Sequence, residues 1–277
     1  MFLSQNPINT SSIVINTLVF TFIGVLILRY AYRYAEQSYA EVKRRPFVLN
    51  FIIFKQTLKT NQLAILKRDF SFYNRLSVKD QEIFNHRVSV FIKCKDFIGR
   101  EGLVINEEIK VLVSATAVML TFGFRNFSLP LIKTILVYPD SFFSKLNQKQ
   151  HKGEFNPMLG VIAFSWKDFK LGFDIANDNL NLGIHEFGHA VHFNSFKNND
   201  VSSLIFRDGL KDLKIYLKSN EAKRQQLIET KYFREYAYTN EFEFVAVLIE
   251  CFFETPLEFR SSFPNIYNYV KLMLNYN

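Results

Sequence analysis

The stretch HEFGHAVHF, His185 to Phe193, places three of the chain's five histidines within eight residues. On a helix, His185 and His189 share one face because they lie four residues apart, and Glu186 lies at the edge of that face. Two imidazoles in this H-E-x-x-H arrangement can bind one zinc ion, and the glutamate can accept a proton from water. The surrounding residues are too apolar for a solvated helix face, since polar groups in an apolar helix need partners. The stretch therefore predicts a largely buried helix that carries a zinc site.

A catalytic zinc site needs a third protein ligand. The metzincin spacing is excluded, because it requires a glycine and a histidine where the chain has His192 and Ser195. Downstream, Glu243 and Glu250 lie seven residues apart in an apolar segment, and therefore on one face of a predicted helix. Two carboxylates there are costly unless they are paired, hydrogen-bonded or bound to a metal. We predict Glu243 as the third ligand and Glu250 behind it, as an acceptor for a ligand imidazole N–H. An ion pair between a buried Glu250 and an arginine or lysine elsewhere is the open alternative.

The N-terminal segment SSIVINTLVFTFIGVLIL, residues 11–28, contains no charged side chain. An apolar run of about this length can cross a bilayer as a helix, so we predict a short tail over 1–12 and a transmembrane helix over 13–31. A signal peptide and a buried helix of a soluble domain are the competing interpretations, and the absence of Lys or Arg from residues 1–12 disfavours the first. Five basic residues follow the run directly: Arg29, Arg33, Lys43, Arg44 and Arg45. Basic residues that flank a transmembrane helix favour the cytoplasmic side of the membrane. We therefore expect a single-pass protein of the bacterial cytoplasmic (inner) membrane with its main domain in the cytoplasm.

The composition of the chain bears on nucleic-acid binding, disulfide bonds and domain organisation. The net charge of +8 comes partly from the segment after the apolar run, and no run of five basic residues occurs, so we expect no nucleic-acid binding. Two cysteines cannot build a disulfide framework. No internal repeat or linker is evident, which favours a basic juxtamembrane connector over 32–60 and a single domain over 61–277. The sequence predicts no particular oligomeric state.

The rest of the chain has the pattern of a mostly helical α+β protein with a small sheet just before the histidine helix. Helices are predicted from Ser77, after Asn106, over 200–218 and 240–254, and after Pro264. The runs TILVYP and GVIAFSW are short and rich in β-branched and aromatic residues, as strands are. Whether GVIAFSW is an edge strand that pairs with an extended peptide or an ordinary core strand stays open.

Several blocks of the sequence follow one another in a familiar order: FYNRLS, ILVYPDSF, GVIAFSW, NLGIHEFGHAVH, EYAYTNEFEFVAVLIECFFETP and FPNIY. On these blocks the chain, from about residue 70 to residue 267, resembles the glucose-regulated zinc metallopeptidases. These are the Mlc titration factor A-like gluzincins, which are related to the catalytic core of anthrax lethal factor. The resemblance implies a zincin-like metallopeptidase domain.

The resemblance also implies roles for particular residues. His185, His189 and Glu243 take the zinc-ligand positions, Glu186 takes that of the general base, and Tyr236 falls where the family carries an oxyanion-stabilising tyrosine. Relatives usually have an aspartate three residues after the second histidine, where this chain has His192.

Three classes of function follow. The first is a membrane-anchored zinc peptidase that hydrolyses peptide or protein substrates with a zinc-activated water, as an aminopeptidase or an endopeptidase. The second is a zinc-containing regulatory protein that sequesters a cytoplasmic partner such as a transcription regulator. The third is a structural protein of the membrane surface with a vestigial site. We favour the first, because the ligand and base positions are all intact.

Overall fold

The computed structural model describes residues 10–50, 52–144, 148–174 and 179–276. The chain divides into two compact units, Met1–Phe47 and Val48–Asn277. The helices of the described residues are α1 (Thr10–Lys43), α2 (Thr60–Asp69), α3 (Ser71–Asn74), α4 (Val78–Cys94), α5 (Glu107–Leu120), α6 (Trp166–Asp174), α7 (Leu182–Lys197), α8 (Val201–Ser219), α9 (Glu221–Glu229), a 3-10 helix (Glu235–Tyr238), α10 (Glu241–Glu254), α11 (Pro256–Ser262) and α12 (Pro264–Met273). The strands are β1 (Asp96–Gly99), β2 (Thr134–Tyr138), β3 (Phe142–Ser144), β4 (Lys149–His151), β5 (Gly153–Asn156) and β6 (Val161–Ser165).

The first unit consists mainly of α1. Its span Ser12–Lys43 is long and apolar enough to cross a membrane, with a mean hydropathy of 2.1 over its most apolar window. The predicted transmembrane segment 13–31 lies inside α1, and the helix continues to Lys43, so the first part of the predicted connector 32–60 is helical. Residues 1–9 of the predicted tail lie outside the described residues. The domain boundaries themselves stay a prediction.

In the second unit, two predicted helix starts are confirmed by side-chain caps. The Ser77 hydroxyl accepts a hydrogen bond from the Asp80 N–H at 3.2 Å, and α4 begins at the next residue. The Asn106 side chain accepts a hydrogen bond from the Ile109 N–H at 2.9 Å, and α5 begins at the residue after Asn106. Such caps satisfy backbone donors that a helix start otherwise leaves unpaired. The predicted helices around 200–218, 240–254 and after Pro264 correspond to α8, α10 and α12.

The sheet of the second unit has the strand order β1-β2-β6-β5. Strands β1, β2 and β6 run parallel, whereas β5 is antiparallel to β6. The strand in GVIAFSW is therefore an interior strand, and the edge-strand alternative is wrong. The physical reason is burial: four of the five residues of β6 are buried, as a strand with neighbours on both sides requires. The edge next to β6 is formed by β5, whose short sequence GEFN carries little strand signal, and β1 forms the opposite edge.

The sheet supports α7 from the side opposite its paired histidines. Phe187 is fully buried, with its ring 5.4 Å from that of Phe164 on β6 and 6.2 Å from that of Phe91 on α4. Because Phe187 lies two residues from both His185 and His189, it projects from the opposite face of the helix. Aromatic contacts on the back of α7 therefore fix the orientation of the face that carries the imidazoles.

A buried arginine closes the C-terminal end of α5. Arg87 is 2% exposed and donates hydrogen bonds to the Thr121 carbonyl at 3.1 Å, the Phe122 carbonyl at 2.9 Å and the Asn50 side chain at 2.8 Å. Burial lowers the pKa of its guanidinium to about 10, so the group remains charged at neutral pH. The carbonyls at a helix C-terminus are partly negative and lack partners within the helix, and a cation is a favourable ligand for them.

We predict that Arg87→Met lowers the free energy of unfolding by about 3 kcal/mol, because buried carbonyls lose their donors. Urea unfolding followed by far-ultraviolet circular dichroism measures the change. Arg68→Met is the control, since Arg68 is exposed and pairs with its neighbour Asp69, and it should change stability little. Equal destabilisation by the two substitutions would contradict the prediction.

Candidate metal centre

Helix α7 carries the histidines and is firmly capped. The Asn181 side chain accepts from the Ile184 N–H at 3.0 Å and donates from its amide to the Gly172 carbonyl at 2.8 Å. Most of the residues from Gly183 to Ser195 are buried, which confirms the predicted buried helix. The start and rotation of α7 are thereby fixed, and with them the direction of its side chains.

Helix α10 crosses α7 at close range. A Cβ atom at Gly188 would lie 3.3 Å from the Ala246 Cα, so the two backbones approach closely because both residues are small. At the start of α10, the Asn240 side chain accepts from the Glu243 N–H at 3.0 Å. The crossing and the cap together place the Glu243 carboxylate beside the imidazoles of α7.

Three side-chain atoms converge at this crossing. His185 Nε2 lies 3.1 Å from both His189 Nε2 and Glu243 Oε2, and His189 Nε2 lies 3.4 Å from the same oxygen. A tetrahedral zinc ion with ligand bonds of about 2.1 Å requires its ligand atoms to be roughly 3.4 Å apart, close to these separations. Imidazole nitrogen and carboxylate oxygen are also the donor atoms that zinc prefers. The donor set therefore fits a zinc ion, and these are the residues predicted as ligands.

The charges around the three atoms favour a cation between them. Burial opposes a positive charge on His185, but its hydrogen bonds with the carboxylates of Glu243 and Glu250 outweigh burial and raise the pKa of the imidazole to about 10. Burial likewise disfavours ionised Glu243, yet the two imidazoles lower the pKa of its carboxyl well below the usual range. The surrounding carboxylates thus stabilise positive charge, whether a proton or a metal ion carries it.

Glu250 lies behind the ligand set. It is 1% exposed, and its Oε2 atom lies 3.1 Å from His185 Nδ1. The Arg234 Nη2 atom donates to the same oxygen. Both alternatives left open by the sequence are therefore present, since Glu250 contacts an imidazole and also pairs with an arginine. Arg234 is the residue that sequence reasoning missed, because no local pattern selects it among 34 basic residues.

Glu186 is buried next to the ligands and under the edge of the sheet. A Cβ atom at Gly153 on β5 would lie 2.7 Å from both Cγ and Oε1 of Glu186, so the strand passes directly over this side chain. Burial raises the pKa of the Glu186 carboxyl, because desolvation disfavours its charged form. Glu186 is therefore a carboxylate with increased affinity for a proton.

Tyr236 lies on the 3-10 helix just before α10. Its ring centre is 6.1 Å from that of His185, and the residue is about half exposed. Burial, together with the neighbouring Glu243 carboxylate, raises the pKa of the phenol to about 12. The hydroxyl therefore keeps its proton at neutral pH and can donate a hydrogen bond beside the ligand set.

His192 is not brought into the ligand set. It is 1% exposed, stacks on Phe242 with ring centres 4.3 Å apart, and has its Nε2 atom 3.8 Å from Glu241 Oε1. Burial lowers the pKa of this imidazole to about 4, so it is neutral at physiological pH. The residue that departs from the family pattern is thus packed as an aromatic side chain.

A histidine helix and a glutamate helix that bring together three side chains able to hold a metal ion define a candidate metalloenzyme. The family model of the glucose-regulated metallo-peptidases M90 matches residues 41–275, and the chain belongs to this family. The predicted family is thereby confirmed. An uncharacterized protein of Synechocystis sp. is 24% identical over 233 residues, which cover 79% of this chain and 85% of that relative. The individual roles of His185, Glu186, His189, Tyr236, Glu243 and Glu250 stay predictions.

We predict that Glu243→Gln lowers zinc affinity by more than about 100-fold, because the loss of an outer-sphere partner alone typically costs 10- to 100-fold. Glu241→Gln is the matched control, since Glu241 lies in the same helical turn but pairs with Lys214. Its affinity should equal that of the unsubstituted chain. Zinc titration against a competing chelator measures both values, and equal losses in the two variants would contradict the assignment.

Proposed function

We propose that this chain is a membrane-anchored zinc-dependent peptidase. The observation that carries the proposal is the convergence of His185 Nε2, His189 Nε2 and Glu243 Oε2 beside a buried glutamate, in a member of a metallopeptidase family. The buried position of Glu186 adds support, since a carboxylate of raised pKa suits proton transfer near neutral pH.

His185, His189 and Glu243 would hold the zinc ion, which when bound supplies Lewis acidity to a substrate carbonyl and makes water acidic enough to react near neutral pH. Glu186 accepts the proton released by the attacking water and later gives it to the leaving amine. The net reaction adds water across the peptide bond, yielding a carboxylate and an amine. No side chain becomes covalently attached to the substrate.

Tyr236 is suited to stabilise the charge that develops on the carbonyl oxygen. Its hydroxyl stays protonated at neutral pH and lies next to Glu243, so it can donate a hydrogen bond at the ligand set. Preorganised donors of this kind contribute more in the transition state than in the ground state.

The edge strand β5 offers a binding place for an extended peptide. Among the described strands it pairs with β6 on one side, and Gly153 places its backbone against Glu186. A substrate that adds to the outer edge of β5 by main-chain hydrogen bonds would pass beside the proton acceptor. The pairing role considered for GVIAFSW therefore belongs to β5 in this proposal.

We predict that the full-length chain cleaves members of a peptide library and that Glu186→Gln lowers cleavage by about 10²- to 10⁴-fold, because the proton acceptor is lost. The zinc content should stay unchanged, since Glu186 is not one of the three residues whose side-chain atoms converge. Glu241→Gln serves as the active control. If the unsubstituted chain and Glu186→Gln bind zinc equally and neither cleaves any peptide, the peptidase proposal is wrong and a regulatory function replaces it.

The membrane part of the proposal is a single crossing by α1 with the second unit in the cytoplasm. Its support is the apolar length of α1 and the basic residues that follow its apolar part. Cys94 is exposed on the second unit and Cys251 is buried, so one thiol reports the side of the membrane.

We predict that a membrane-impermeant maleimide leaves Cys94 unlabelled in intact spheroplasts and labels it after permeabilisation. The combined substitutions Leu18→Lys and Phe22→Lys should release the chain from membranes, since a lysine near the bilayer centre costs about 3 kcal/mol. Leu257→Lys is the control, because Leu257 is exposed on the second unit and should leave membrane association intact. Labelling of Cys94 in intact spheroplasts would contradict the proposed orientation and place the second unit outside the cytoplasm.

A further inference from the structure

One carboxylate oxygen connects the candidate metal site to the segment that carries Tyr236. Oε2 of Glu250 lies within hydrogen-bond distance of His185 Nδ1 and also of Arg234 Nη2. Arg234 precedes the 3-10 helix, and its carbonyl accepts from the N–H of the buried Ala237 at 2.9 Å. The guanidinium end of Arg234 is thus fixed to α10, while its backbone begins the turn that presents Tyr236.

We propose that Arg234 is a positioning residue that acts through Glu250 to orient His185 for metal binding and, by the same ion pair, holds Tyr236 beside the ligands. This inference rests on the proposed metal-dependent peptidase function.

The first step of the argument is the orientation of the imidazole. If His185 donates its Nδ1–H to Glu250, the lone pair of Nε2 points toward His189 and Glu243, where a metal ion would bind. A carboxylate oxygen held at this position fixes the ring orientation of a metal-binding histidine. The orientation of His185 therefore depends on the position of the Glu250 carboxylate.

The second step is what holds the Glu250 carboxylate in place. Glu250 is 1% exposed, and a buried carboxyl group needs hydrogen-bond partners. The Arg234 guanidinium donates to the same oxygen that contacts His185, from a side chain that is 33% exposed. The planar fork of guanidinium donors suits a carboxylate, so this contact fixes the position of the Glu250 oxygen that faces His185.

The third step concerns Tyr236. It lies two residues after Arg234, inside the 3-10 turn that the hydrogen bond from the Ala237 N–H to the Arg234 carbonyl closes. Loss of the ion pair frees this turn from α10 at its N-terminal end. The tyrosine hydroxyl then loses its fixed position, even though no atom of Tyr236 changes.

The test measures the zinc affinity of the full-length chain in detergent by competition with a chelator. Arg234→Met should weaken zinc binding by about 10-fold, the lower end of the usual effect of an outer-sphere partner. Arg234→Lys, which keeps the charge, should restore part of the loss. In a Glu250→Gln background, Arg234→Met should have no further effect, because the carboxylate through which it acts is gone.

Arg207→Met is the matched control. Arg207 donates to the carbonyls of Ser195 and Asn198 near the other end of α7, so its loss perturbs the same helix without touching Glu250. We expect reduced thermal stability and unchanged zinc affinity. A loss of zinc affinity equal to that of Arg234→Met would reduce Arg234 to a general structural role and overturn the inference.

A second measurement follows Tyr236. At saturating zinc, Arg234→Met should lower kcat with KM nearly unchanged, and combining it with Tyr236→Phe should give less than the product of the two separate losses. Unaltered zinc affinity in Arg234→Met, or fully multiplicative losses in both double variants, would overturn the inference while leaving the proposed function intact. A chain that binds no zinc at all would overturn both.

Discussion

The close crossing of α7 and α10 is the constraint on which the candidate site depends. Two of the three converging atoms come from one helix and the third from another, and their separations of 3.1 to 3.4 Å tolerate little relative movement. Gly188 against Ala246 allows the backbones to approach, and Phe187 holds the back of α7 against the sheet. Packing of this kind is rigid because protein interiors are as dense as organic crystals. The geometry of the site is therefore a product of core packing.

The charges of the site alternate in sign from its outermost residue to its centre. Arg234 is positive, Glu250 negative, His185 an imidazole with carboxylates on two sides, and Glu243 negative again. The buried Glu250 and the partly buried Glu243 are thus each matched by a cation or by an imidazole that can donate to it, as burial of charge requires. A metal ion between the two imidazoles and Glu243 would complete the alternation. Glu186 differs, because burial raises its pKa and so strengthens its hold on a proton.

The sequence predicts the local features of this protein better than the long-range ones. Helix starts at Ser77 and Asn106 follow from side-chain caps that act within three residues. That Glu243 and Glu250 share one helix face follows from their seven-residue spacing. The partner of Glu250 could not be chosen, because any of many basic residues satisfies the same requirement. Strand order is also a long-range property. A local sequence pattern therefore cannot predict that β6 lies inside the sheet and β5 at its edge. No helix is predicted from the sequence between residue 254 and Pro264, yet α11 begins there at Pro256, because proline suits the first turn of a helix.

The three histidines of HEFGHAVHF show how the crossing selects among equivalent candidates. Seven residues of α-helix make nearly two turns, so His192 projects from almost the same side of α7 as His185, only about 10 Å further along the axis. Helix periodicity therefore cannot say whether His189 pairs with His185 or with His192 in binding a metal. The point at which α10 crosses decides it, because Glu243 meets the first two imidazoles while Phe242 stacks on the third. Beneath that ring His192 is buried and neutral, since its pKa falls to about 4, and it contributes packing, whereas His185 and His189 supply the converging nitrogen atoms. The register between two helices, more than the density of histidines, determines which side chains form the site.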